Sequence, residues 1–129
     1  MTGLLLDTHT LLWWWLDDPR LSVLARRAIA DPANPVFVSA ASAWELATKH
    51  RLGKLGEADE AVGRFAELVS ADGFEHLPIT YYHCLTAGAY AVEHRDPFDR
   101  MLAAQSQLEK LVLLTRDPAF EHFGTRTLW

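Results

Sequence analysis

The sequence predicts an α/β protein with a mostly parallel central sheet flanked by helices, and three observations carry that expectation. Short, continuously apolar runs, "GLLLD", "VFVSA" and "LVLLT", recur along the chain, as strands buried on both faces do. Longer stretches of helical character separate them. Turn signals such as "DDPRLS" and "DPANP" punctuate the alternation. Parallel strands need crossover connections, and crossover helices shield the faces of the sheet they join.

Each element follows from local chemistry. Residues 3–7 read as a buried strand and "THTLLWWWL" as the helix after it; a second helix covers 22–30. Residues 36–40, β-branched and aromatic, form a strand running into a helix over 42–51, which Gly53 ends. A helix over 58–70, a short strand over 74–79 and a helix over 80–91 follow. "DPFDR" then opens a helix reaching residue 110; residues 111–115 are a buried strand, and "TRTLW" closes the chain as an edge strand. Tryptophans 13–15 sit about 100° apart on a helix, so one core-facing stripe cannot hold all three. At least one belongs at a boundary, packed under a loop or offered to a partner.

The chain has 129 residues, half of them hydrophobic, which suits one domain over 1–129 with one substantial core. The single cysteine, Cys84, excludes an intramolecular disulfide framework, fits a reducing compartment and is expected to be a small buried residue. The expected location is cytoplasmic. The apolar opening over 4–16 is interrupted by Asp7 and His9, lacks a basic leader and falls short of the roughly 20 residues of a membrane-spanning helix. The net charge of −5 argues against a broadly basic surface that wraps nucleic acid. It does not argue against a nuclease, whose carboxylates contribute to that sum. Basic residues cluster in "KHRLGK", which holds Lys49, Arg51 and Lys54.

The chemistry lies in acids far apart in sequence. Asp7 stands at the carboxyl end of the first strand, Glu45 in the helix after the second, Asp99 in the first turn of a late helix, and Asp117 two residues beyond "LVLLT". In a parallel sheet, strand carboxyl ends and the amino ends of the following helices share one edge, so these positions can converge. Singly, each has a local explanation. Asp7 can accept N–H bonds at a helix start, Glu45 can pair with Lys49 at i, i+4, Asp96 can cap a helix with Pro97 at its first position, and Asp117-Pro118 repeats that arrangement. Jointly, carboxylates at one edge repel one another unless cations lie between them. Hard oxygen ligands select Mg²⁺, with Mn²⁺ as a substitute. The six histidines show no zinc-type spacing.

"LLLDTHTLLWWWLDDPRLS", "VSAASAWELATKHRLGKL", "DPFDRMLAAQ" and "LLTRDPAF" resemble the successive motifs of PIN-domain nucleases, specifically the VapC toxins of toxin–antitoxin pairs, over nearly the whole chain. The resemblance implies the three-layer PIN-like fold. It places the four acids of the site on Asp7, Glu45, Asp99 and Asp117 as metal-binding, catalytic residues. Asp96 then matches the helix-entry residue, while Thr8 and Thr115 match hydroxyl positions beside the acids. Arg100, Arg116 and Lys49 are candidates to meet phosphate. The implied activity is Mg²⁺-dependent endonucleolytic cleavage of RNA by metal-activated water. The implied partners are a VapB-like antitoxin whose tail covers the site and a second copy of the chain in a homodimer, with the tryptophan run and "KHRLGKL" as candidate contact surfaces. The alternatives are a non-catalytic PIN-like binding module and a phosphoacceptor receiver domain, which shares the length and the acidic Mg²⁺ pocket.

Overall fold

The computed structural model describes residues 2–129. Strand β1 (Leu4–Leu6) leads into helix α1 (Thr8–Trp15), and α2 (Val23–Ala30) precedes β2 (Val36–Ser39) and α3 (Ala40–Arg51). Two short helices, α4 (Asp59–Gly63) and α5 (Phe65–Ala71), precede β3 (Glu75–Leu77); α6 (Tyr81–Ala89) and α7 (Pro97–Leu108) precede β4 (Val112–Leu114). A 3₁₀ turn over Pro118–Phe123 leads to β5 (Thr127–Leu128). The five strands form one sheet in the order β3-β2-β1-β4-β5, every pair parallel. This is not the 2-1-3-4-5 order of flavodoxin-like receiver folds.

Side chains alternate across this sheet, and the alternation makes the layers. Leu4, Leu6, Val36, Val38, Val112 and Leu114 point to one face, where they pack with Leu11, Trp13, Ala25 and Ile29 of α1 and α2. Leu5 and Leu113 point to the other, against Leu102 and Ala103 of α7 and Phe120 and Phe123 of the 3₁₀ turn. Helical cover on both sides explains the uninterrupted apolar strands. The strand order also explains where the site lies. From β1 the chain adds strands first on one side and then on the other, so the crevice at the carboxyl ends of β1 and β4 is the topological switch point where α/β sheets bind ligands.

Local signals set most boundaries. Ser22 and Ser39 cap α2 and α3 by accepting the N–H groups of Ala25 and Ala41. Helix α3 ends as expected: Gly53, at φ +69°, donates its N–H to His50 O, and Lys54 donates to Lys49 O, the paired bonds of a glycine-terminated helix. The single helix expected over 58–70 is broken at Arg64, whose φ of −117° and ψ of 18° leave the helical region; the preceding Gly63 is a poor helix former and offers no side chain to carry the helix across. The helix expected to reach residue 91 stops at Ala89, because residues 90–96 are held in an irregular turn by Arg100.

One expectation is corrected: Cys84 is exposed on α6, not buried. The tryptophan run packs within the chain: Trp13 is buried against Trp129, while the half-buried Trp14 and Trp15 both donate their indole N–H to Asp72 (3.2 and 2.9 Å) and pack on Phe74 and Phe65. The exposed large apolar side chains include Trp44 of α3 and Tyr81, Tyr82 and Leu85 of α6. Among the described residues no helix is long and apolar enough to cross a membrane.

Candidate active site

Asp7 is the residue at which β1 becomes α1. Its N–H donates to the carbonyl of Leu114 on β4 (3.2 Å), and its carbonyl accepts the N–H of Leu11. Its side chain makes no capping bond. The carboxylate instead accepts the hydroxyl of Thr115 (2.7 Å), and the residue is only 6% exposed. Thr115, just beyond β4, also accepts the N–H of Asp117 (3.1 Å), so one hydroxyl joins the ends of the two central strands.

Glu45 is buried in α3. One oxygen, Oε2, meets Lys49 Nζ at 3.0 Å, while Oε1 is buried without a hydrogen-bond partner. Thr8 and Ser42 share a buried hydroxyl bond of 2.9 Å that ties the start of α1 to α3 one turn before Glu45. The Thr8 hydroxyl thus bonds Ser42 rather than a carboxylate.

The start of α7 divides its labour. Asp96 is the N-cap: its Oδ1 accepts the N–H groups of Phe98 (2.9 Å) and Asp99 (3.2 Å), with Pro97 at the first helical position. Asp99 is thereby free of capping, and its Oδ2 shares a 2.8 Å hydrogen bond with His94 Nε2. Phe98 lies edge-on to Trp44 (4.8 Å between ring centres) on α3, at the rim of an apolar groove of about 180 Å³ that runs on to Met101 and Ile79.

Electrostatics draws three of the four expected acids together. Burial pushes the Asp7 carboxyl above its ordinary range, the Thr115 bond opposing and the charge of Glu45 adding to the rise. Asp99 is pushed up to about 7, first by desolvation; the charges of Asp96, Asp7 and Glu45 add, and the His94 bond opposes. Asp117 stands apart. It is exposed, its carboxylate accepts the N–H of Ala119 (2.9 Å), and it joins the others only by lining a cleft with Asp7.

These residues fit a hard divalent cation. Burial and neighbouring charge hold the Asp7 and Asp99 carboxyls above their ordinary range, and Glu45 Oε1 is a buried oxygen whose lone pairs have no hydrogen-bond partner, an arrangement that a hard cation would relieve. They do not yet form a finished cage: among the described residues no three His, Cys, Asp or Glu side chains are arranged as metal ligands. Lys49 neutralises one oxygen of Glu45 and leaves the other.

The three cations expected to meet phosphate have different fates. Arg100 is the correction. Its guanidinium donates to the carbonyls of Ala87, Gly88, Tyr90, Val92 and His94, which uses all five of its donors. It clamps the 90–96 turn, and with it His94, and has nothing left for substrate. Lys49 is engaged with Glu45. Arg116 is exposed, lies over the ring of Trp13 (4.6 Å) and has no carboxylate partner among the described residues.

Sequence reasoning missed His94 and Ser42. His94 precedes Asp99 by five residues, a spacing that matches no helical or strand period, and only the Arg100 clamp folds it back. Ser42 and Glu45 do share the i, i+3 spacing of one helix face, which was the available signal.

Residues 4–125 match the family model described as PIN domain. Comparison with curated protein sequences gives no match. Among solved structures, the chain resembles VapBC2 from Rickettsia felis, crystallised with a DNA fragment from its promoter: TM-score 0.70, 15% identity, 99% of each chain covered. It also resembles VapBC-1 from nontypeable Haemophilus influenzae (TM-score 0.69, 18% identity, 98% of this chain and 97% of that one) and FitAcB from Neisseria gonorrhoeae (0.62, 20%, 98% and 96%). At these identities the likeness is one of fold.

Proposed function

Since the chain belongs to the PIN-domain family, we propose that it is a Mg²⁺-dependent endoribonuclease and the toxin of a toxin–antitoxin pair. One observation carries the catalytic reading: Glu45 Oε1, buried and without a partner, lies among carboxyl groups that burial and mutual repulsion hold above their ordinary range. A protein that kept this arrangement for stability alone would be accepting a cost with no return.

On this reading Asp7, Glu45 and Asp99 hold the cation, with Asp117 completing the acidic edge. When bound, the ion supplies Lewis-acid stabilisation of phosphoryl charge and lowers the pKa of water. The protein's own groups prepare for that. Thr115 fixes the rotamer of Asp7 while linking it to Asp117; the Thr8–Ser42 bond sets α1 against α3 and so locates Glu45; His94 holds Asp99. Such supports orient ligands without touching substrate. Hydrolysis by attacking water needs no ribose 2′-OH, so preference for RNA rests on substrate shape, as in single-stranded or loop RNA.

An unguarded nuclease of this kind needs restraint. The acidic edge suits an inserted arginine, which binds carboxylates bidentately, and we assign that role to the tail of a VapB-like antitoxin in the cytoplasm. The solved neighbours are themselves VapBC and FitAcB structures, which supports such a partner. A homodimer belongs to the same proposal, with "KHRLGKL" as one contact surface.

Thermal melts with EDTA and with Mg²⁺, alongside incubation with RNA, test the reading. A ligand that binds only the folded state raises its stability by mass action. The expected result is a Mg²⁺-dependent rise in melting temperature and Mg²⁺-dependent RNA cleavage; a melt indifferent to Mg²⁺ with RNA left intact rejects it.

A further inference from the structure

The cleft that Asp7 and Asp117 share is acidic on one wall only. It has a volume of about 410 Å³, and its other wall is made by His9, Trp13, Arg20 and Arg116. Trp13 organises that wall: His9 stacks on it at 5.9 Å, Arg116 lies over it at 4.6 Å and Arg20 at 5.1 Å. The indole has its own reason to be there, since it is buried and packs against Trp129, so the platform is rigid.

The two arginines differ in what they have left to offer. Arg20 is bound to Asp18 through Nε (3.1 Å) and Nη2 (2.8 Å), and its bidentate partner consumes its charge. Arg116 has no hydrogen bond or ion pair among the described residues. Stacking on an aromatic face holds a guanidinium through its π surface and leaves the N–H edge free, which is the geometry that takes a phosphate bidentately. An exposed cation of this kind, kept in place without a carboxylate and next to carboxylates, suits a ligand that carries its own negative charge.

We propose that Arg116, supported by Trp13, forms a subsite for a phosphodiester of the RNA strand adjacent to the one cleaved. The inference rests on the nuclease reading and extends it: the strand crosses the acidic edge with one phosphate and is anchored on the Trp13 wall by its neighbour. Arg20, paired with Asp18, and His9, stacked on Trp13, complete the wall without a role in binding the phosphate. Recognition is of the backbone, so the anchor is indifferent to base sequence.

Fluorescence anisotropy with a labelled single-stranded RNA tests this in the Asp99→Asn protein with Mg²⁺ present, over a salt titration. Each phosphate neutralised on a single strand contributes about −0.7 to the slope of log K against log salt. Arg116→Ala should flatten the slope by about that amount and weaken binding several-fold, equally for RNAs of different sequence. Arg116→Lys should restore the slope, with weaker binding than the parent because lysine lacks the planar fork. Arg27→Ala, an exposed arginine on α2, should change neither. Melting curves certify that each variant is folded, and Arg116→Gln replaces the alanine variant if that one is not. An unchanged slope in both neutral variants overturns the subsite while leaving the nuclease reading intact. So does a loss confined to binding of an antitoxin peptide, which would make Arg116 a protein contact. If the parent binds no RNA at any salt and the wild type cleaves none, the nuclease reading fails and the subsite with it.

Discussion

The starts of α7 and of the C-terminal 3₁₀ turn use the same device and spend it differently. Both open with Asp-Pro, and in both the aspartate accepts a backbone N–H two residues on: Asp96 from Phe98, Asp117 from Ala119. After Asp96, a second acid, Asp99, arrives three residues later, does none of the capping and is left to bond His94. After Asp117 there is no second acid in the first turn before Glu121. Asp117 therefore spends its one carboxylate on the cap, and any role in the proposed site has to be shared with it. The comparison teaches that an acid's place in a site depends on whether a neighbour relieves it of structural duty. It also explains why Asp99 is desolvated and pushed up to about 7 while Asp117 stands in solvent.

The sharpest break in the comparison comes from Asp99→Asn. If Asp99 holds the cation as proposed, its loss removes several kcal/mol of charge stabilisation, so RNA cleavage should fall on the order of 10³-fold or more. The metal-free melting temperature should stay level or rise, because one like charge leaves a crowded site. If instead the melt falls as a lost cap predicts, Asp99 is structural.

Smaller effects follow on the other side. Asparagine caps helices about as well as aspartate, so Asp117→Asn should leave the melt unchanged while lowering cleavage, and Thr115→Val, which frees Asp7, should lower it by about 10–100-fold. Assays of the two variants at saturating Mg²⁺ and at limiting Mg²⁺ would show whether the loss is in metal affinity. Equal activity of wild type and Asp117→Asn would reduce Asp117 to its cap.

A pH series sharpens the same point. The ordinary carboxyl value is 3.8 and Asp99 sits at about 7, so between about pH 4 and 7 the folded, metal-free protein binds a proton that the unfolded chain has released. Its contribution to stability therefore increases as pH falls through 7 and levels off below about 4. Mg²⁺ must displace that proton, so apparent Mg²⁺ affinity should fall by up to about tenfold per unit below pH 7. Calorimetric titration of Mg²⁺ at several pH values checks this, and Asp99→Asn should flatten the dependence. The smallest effect is expected at Asp96→Ala: loss of about 1 kcal/mol from the cap, seen as a drop of a few degrees in the melt, with cleavage retained at temperatures below it.

Much of the frame was readable because short-range physics writes it. Leu4, Leu5 and Leu6 are apolar without alternation since both faces of β1 are covered. The caps at Ser22 and Asp96 and the stop at Gly53 are signals that each helix carries in its own termini. The break at Arg64 and the early end of α6 were less readable, because a single glycine or an approaching clamp decides them.

Asp7, Glu45, Asp99 and Asp117 could be picked out from the order of the motifs, but their unequal surroundings could not. A side chain's sequence neighbours state what it is able to do; its spatial neighbours state what it has left to do. Arg100 follows Asp99 and Arg116 precedes Asp117, and nothing in either adjacency says that one arginine is exhausted by five carbonyls and the other rests on a tryptophan ring with its donors free.

The amino-acid order by itself determined the alternation of strands and helices and most of the helix termini, because each depends on residues within about two turns of one another. Only the tertiary structure decided which carboxylates are desolvated together, that His94 reaches Asp99 and that Arg100 is committed to backbone. Burial and long-range hydrogen bonding are set by how the layers close on one another, and a linear pattern does not hold that information.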